Sequence, residues 1–106
     1  MAAHGLTSAV LGMPRIGKDR ELKAALESYW DRRTPAAELQ RVASDLRLQH
    51  LTRAAAAGVD VMPCNDFSLY DHVLDTAVMV GAVPARFGTH TEETDLDTYF
   101  KMARGA

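Results

Sequence analysis

One cysteine, Cys64, stands among the 106 residues, and that scarcity excludes any disulfide within the chain. A lone thiol agrees with a reducing cytosol without fixing the compartment. No apolar run comes near the roughly 20 residues that a membrane-spanning helix needs. The start, MAAHGLTSAV, lacks the basic-then-apolar order of a secretory leader. Neither sign of charge dominates: 12 Lys and Arg against 14 Asp and Glu give a formal net charge of -2. Such a surface would not be steered toward nucleic acid or an anionic membrane. There is no internal repeat, and no low-complexity tract beyond the alanines at 54–57. What is present, 47% hydrophobic and 25% charged residues, is the balance of a folded globular protein. The expectation is one soluble, cytoplasmic domain that buries about two thirds of its unfolded surface.

Short apolar runs alternate with amphipathic segments. Ala9, Val10 and Leu11 read as a brief strand, stopped by Gly12 and Pro14. After a turn through Gly17, Leu22, Ala25, Leu26, Tyr29 and Trp30 recur at helical spacing, predicting a helix over 19–30. Thr34 as cap, Pro35 at the first helical position and Glu38 as the capping-box acid predict a second start. That helix carries Leu39, Val42, Ala43, Leu46 and Leu51 inward and runs for over twenty residues to a cap at Gly58. VDVMP, residues 59–63, reads as a second strand. Asn65, Asp66 or Ser68 would then cap a third helix over 70–80, with Val73, Leu74, Ala77 and Val78 inward. The segment VPARFGTHTEETD reads as a mobile loop, and residues 96–104 as a last short helix. Tyr29, Trp30, Phe67, Tyr70, Tyr99 and Phe100 read as core, with Met62, Met79 and Met102 filling gaps. This order of strand, helix, helix, strand, helix predicts an α/β fold with a parallel sheet. Two strands leave open edges and uncovered faces, which calls for more sequence or another chain.

Two features bear on chemistry. The segment LGMPRIGKDRELKAALESYW opens a helix with Arg15, Lys18, Arg20 and Lys23. Free N–H groups and a partial positive charge make a helix start able to hold an anion, and nearby cations strengthen the attraction. They also oppose the usual preference for acids there, so either an anionic partner or the neighbours Asp19 and Glu21 must offset them. Both readings stand on the residues alone. Metal chemistry finds little support: four-coordinate zinc needs closely placed ligands, whereas His4, His50, His72 and His90 are scattered, with no HxC, CxxC or HExxH spacing. His72 and Asp75 lie at i, i+3 and read as a polar pair. Cys64 reads as a small, partly buried residue, with no cation or base arranged to activate it. The loop NDFSLYDH, residues 65–72, follows a predicted strand and reads as helix capping and packing.

Three blocks together, LGMPRIGKDRELKAALESYW, then GVDVMPCNDFSLYDHVLDTAVMVGAVPARF, then DTYFKMARG, resemble the amino-terminal region of the cobalamin-independent methionine synthases. The likeness spans about Val10 to Gly105. Met13 departs from the aromatic usual at its position, and Asn65 from a frequent glycine before Asp66. The resemblance implies a partial (β/α)8 TIM-barrel-like domain, helix-rich and holding only its opening βα elements, with residues 1–106 an amino-terminal fragment. It implies transfer of a methyl group from 5-methyltetrahydropteroyl-polyglutamate to homocysteine, with zinc held in a later barrel and no cofactor in this chain. It further implies that Asp19, Arg20, Glu21, Leu22 and Lys23 contribute to holding the folate polyglutamate tail, Arg20 and Lys23 as carboxylate partners. Implied partners are that folate and the remainder of the enzyme. A stand-alone interaction or oligomerisation module that self-associates through open sheet edges is the alternative.

Overall fold

The structure, a computed structural model, describes residues 5–88 and 95–105. His4, His90 and the 89–94 part of the expected mobile loop lie outside the described residues. Two compact units divide the chain, Met1–Leu69 and Tyr70–Ala106.

In the first unit, helices α1 (Glu21–Trp30) and α2 (Ala36–Ala56) pack against each other. The 3.6-residue period explains the seam: Leu22, Leu26 and Tyr29 of α1 and Leu39, Ala43, Leu46 and Ala54 of α2 are buried. Each large apolar side chain so buried contributes about 1.5–3 kcal/mol. Leu51 does not join this seam and is 43% exposed. The start of α2 differs from expectation by one residue. Pro35, at φ -75° and ψ 165°, is itself the N-cap, with no side-chain bond to the helix. Glu38 turns forward to Arg41 at 2.7 Å rather than back to the cap. The far end is as read. Gly58 takes φ 86°, with Gly58 N–H on Ala55 O and Val59 N–H on Ala54 O, both at 3.1 Å, the paired bonds of a Schellman cap.

The expected α/β architecture, a partial (β/α)8 TIM-barrel-like domain with opening βα elements, is not what the chain adopts. Among the described residues there is no strand, only one isolated parallel bridge, Ala9 to Val61. Residues 8–15 do run beside 58–69, but side chains make most of the joins. Ser8 N–H donates to Asp60 Oδ2 at 2.9 Å, Met13 N–H to Asp66 Oδ2 at 3.1 Å, and Arg15 Nη1 to Leu69 O at 3.0 Å. Carboxylates that take backbone donors leave no ladder to propagate. Leu11, 99% exposed, and Val61, 52% exposed, have no layer over them, and a parallel sheet needs both faces covered.

The second unit holds α3 (His72–Met79), a 3-10 turn (Ala85–Phe87) and α4 (Leu96–Arg104). Asp71, not Asn65, Asp66 or Ser68, caps α3, accepting Leu74 N–H at 2.9 Å. Asp95 caps α4 by accepting Thr98 N–H at 2.7 Å. Tyr99 and Phe100 are buried and meet edge to face at 5.1 Å, and Tyr99 Oη donates to Asp75 at 2.6 Å. Val73 and Met79, expected inside, are 76% and 74% exposed. Within the described residues no helix is long and apolar enough to cross a membrane.

Candidate functional site

The start of α1 is built by a turn that only its own sequence allows. Gly17 takes φ 94°, and a Cβ there would collide with the Glu21 carboxylate. Glu21 Oε2 folds back over this glycine and accepts the Asp19 N–H at 3.2 Å. Arg20 N–H reaches Gly17 O at 3.2 Å, and Leu22 N–H reaches Ile16 O at 2.9 Å. Two of the donors near the helix start are therefore taken by the turn itself. Arg20 is the N-cap and sits in the left-handed region, φ 59° and ψ 35°, with no side-chain bond to the helix. A non-glycine residue there costs about 1–3 kcal/mol.

The five residues implied for the tail site fall into three kinds. Asp19, Arg20 and Lys23 are exposed, Glu21 is half-buried and tied to the turn, and Leu22 is fully buried in the α1–α2 seam. Lys23 Nζ meets Glu27 Oε1 at 2.7 Å across one helical turn. That hydrogen bond first, then the Lys23 charge, holds the Glu27 carboxyl below its ordinary value of 4.5. Of the other cations at this end, Lys18 is exposed and Arg15 is half-buried, its guanidinium donating to Leu69 O.

The 65–72 loop does more than cap. Asn65 takes the left-handed conformation, φ 56°, Asp66 grips Met13 N–H, and Ser68 is 2% exposed. Cys64, expected partly buried, is exposed. It lines a cavity of about 400 Å³ together with Arg47, His50, Leu51 and Ala54 of α2 and with Asp66 and Phe67 of the loop. Sequence reading did not single out Arg47 or its cavity. The signal was available: Arg47, His50, Leu51 and Ala54 are spaced i, i+3, i+4, i+7, one helical face carrying both polar and apolar groups.

Among the described residues no three His, Cys, Asp or Glu side chains stand together as ligands. Asp75 is bound to Tyr99, and Asp66 to the Met13 N–H.

Comparison with known proteins places the sequence. Residues 7–106 match the family described as "Cobalamin-independent synthase, N-terminal domain". The 5-methyltetrahydropteroyltriglutamate–homocysteine methyltransferase of Caulobacter vibrioides is 61% identical over 100 residues, 94% of this chain and 13% of that protein. Its namesake in Catharanthus roseus is 52% identical over 100 residues, 94% of this chain and 13% of that protein. That of Streptomyces coelicolor is 52% identical over 104 residues, 98% and 14% respectively. The chain thus spans only a small part of the length of these relatives. It belongs to the cobalamin-independent methionine synthase family, and what it carries is that family's amino-terminal domain region.

Proposed function

We propose that this chain serves methionine synthesis in the cytoplasm as the amino-terminal part of a 5-methyltetrahydropteroyltriglutamate–homocysteine methyltransferase, and that the start of α1 holds carboxylates of the folate polyglutamate tail. The observation that carries the reading is Arg20. It is exposed, held left-handed at the N-cap of α1 with no side-chain capping bond, and backbone strain of that kind concentrates where a ligand is gripped.

The residues divide the work. Arg20 offers a planar fork suited to bidentate carboxylate binding. Lys23 lies one turn on, and a tail carboxylate would compete with Glu27 for its ammonium. Glu21 fixes the turn through Asp19 N–H and Gly17, and buried Leu22 anchors the helix so that the cations are presented rigidly. Tail contacts lie remote from the reacting methyl group, so their contribution is to bind and orient the donor. Supplied alone, the chain is expected to form no methionine from homocysteine and the folate, with or without added zinc.

Calorimetric titration with triglutamyl against monoglutamyl 5-methyltetrahydrofolate tests the site. Tighter binding of the triglutamyl form, weakened by salt and by Arg20→Ala or Lys23→Ala, is expected. Equal affinity for both forms, or indifference to both substitutions, overturns the reading.

A second reading rests on exposed apolar side chains, Leu11 in the first unit and Val73, Met79 and Val80 in the second. Such surface fits an interaction module that docks on the rest of the enzyme or on another copy of itself. Sedimentation at rising concentration distinguishes a self-associating chain from one that stays monomeric.

A further inference from the structure

The cavity beside α2 is lined by apolar side chains together with one exposed arginine, Arg47. Ala54 is buried, Val10, Met13, Met62 and Pro63 are half-buried around it, and Leu51 closes one edge. The Arg47 guanidinium carbon stands 4.9 Å from the centroid of the Phe67 ring, and the His50 ring lies 6.5 Å from the same ring. A guanidinium over a ring face is attracted by the ring while its N–H donors stay available to a ligand.

The two arginines of α2 that face neighbours contrast in a way that bears on function. Arg41 is paired with two carboxylates, bonded to Glu38 at 2.7 and 3.0 Å and to Asp45 at 2.7 Å. Arg47, by contrast, has Phe67 as its contact and no carboxylate partner among the described residues. The one carboxylate in the cavity wall, Asp66, accepts the Met13 N–H. A cation with unused donors beside an apolar hollow is complementary to an anion with an apolar body. A polyanion is a poorer fit, because the lining holds one arginine and also the Asp66 carboxylate.

We propose that this cavity binds a small organic acid, its carboxylate on the Arg47 guanidinium with His50 beside it, and its aryl or branched-alkyl body against Val10, Leu51, Ala54 and Met62. The volume of about 400 Å³ lies within the range of small-molecule sites and suits a single substituted ring. This site is separate from the tail contacts at Arg20 and Lys23 and does not depend on them.

The chain carries its own reporter, since Cys64 is its sole thiol, is exposed and lines the cavity. The experiment measures the alkylation rate of Cys64 by iodoacetamide in the full chain, with phenylacetate as probe and phenylacetamide as its uncharged counterpart. Phenylacetate is expected to slow alkylation to a saturable limit, and phenylacetamide to leave the rate unchanged at the same concentrations. Arg47→Gln should weaken phenylacetate protection roughly tenfold or more, the scale of a lost charged hydrogen bond. Arg47→Lys, keeping charge without the fork, should fall between the two. Leu51→Asp, a surface change that sets a like charge beside the ligand, should also abolish protection. Arg20→Ala should leave protection intact, which separates this site from the tail site. Equal protection by the acid and the amide, protection that never saturates, or an unchanged effect in Arg47→Gln would each overturn the proposal. The acid-against-amide comparison uses the unaltered chain, so a misfolded variant does not blur the result.

Discussion

Asp66 accepts the Met13 N–H at 3.1 Å, and the same carboxylate lies so close to Gly12 that a Cβ there would stand 2.7 Å from Oδ2 and 2.9 Å from the Asp66 Cβ. The contact joins residues 53 apart in sequence and holds the segment before α1 against the loop after Val61. Gly12→Ala is expected to destabilise the chain by about 1–3 kcal/mol, because the backbone or the aspartate must move. Asp66→Ala should cost a similar amount through the orphaned amide. In the double variant the two effects should sum to more than the measured loss, since removing the carboxylate also removes the shortest of the close contacts, that to Oδ2, and leaves only the one to the residue-66 Cβ. Urea unfolding of the four proteins reads this directly; strict additivity would mean that Gly12 and Asp66 do not share one contact.

Arg20 separates strain from binding. Arg20→Gly should raise stability by about 0.5–1 kcal/mol, because glycine adopts the left-handed region without a Cβ penalty. The same change removes the fork proposed to hold a tail carboxylate, so triglutamyl folate affinity should fall while the melting temperature rises. A variant that melts lower and binds unchanged would contradict both halves.

How much of this was legible in the sequence depended on the range of the forces. The α1–α2 seam was readable from spacing, since Leu22, Leu26, Leu39, Ala43 and Leu46 obey one helical period and burial follows it. Helix ends set by local bonds were readable where a single pattern fits, as at Gly58 and over Leu96–Arg104. They were misread where two neighbours compete: Thr34 yielded to Pro35, and Asp71 outcompeted three earlier candidates because it lies three residues before the Leu74 N–H. The strands failed for a different reason. Val10 and Val61 have β-type surroundings, yet whether they build a ladder depends on partners far along the chain, and here Asp60 and Asp66 take the amides instead. Exposure of Val73 and Met79 likewise depends on which elements pack against α3, information that a helical period does not contain. At the candidate site, the run of cations was visible, but the left-handed Arg20 and the placement of Arg47 over Phe67 required coordinates.

The caps of the second unit carry a local share of its stability. Asp71→Ala and Asp95→Ala should each cost about 1 kcal/mol, the usual loss when an N-cap acceptor is removed. Asp→Asn at either position should recover most of that, because the amide oxygen still accepts the N–H of the third helical residue. Amide exchange at Leu74 and Thr98 provides the residue-level check, with faster exchange expected in the alanine variants alone.

Glu27 offers a readout of Lys23 that does not depend on stability. Its carboxyl is held below 4.5 by the Lys23 hydrogen bond and charge. A carboxyl whose folded value is depressed adds stability above its unfolded value, and that addition is lost as pH falls through the folded value. The group is fully exposed, so the stabilisation is small and screened by salt. The position of its titration is the sharper measurement. A carboxyl-detected NMR titration should place Glu27 below 4.5, and Lys23→Ala should return it toward that value. Saturating triglutamyl folate should do the same in the unaltered chain, because a tail carboxylate that takes the Lys23 ammonium leaves Glu27 without its partner. Glu38, which is depressed by Arg41 rather than Lys23, serves as the internal control and should not move. A Glu27 titration indifferent to bound triglutamyl folate would remove Lys23 from the tail site and leave Arg20 as the only side chain to carry it.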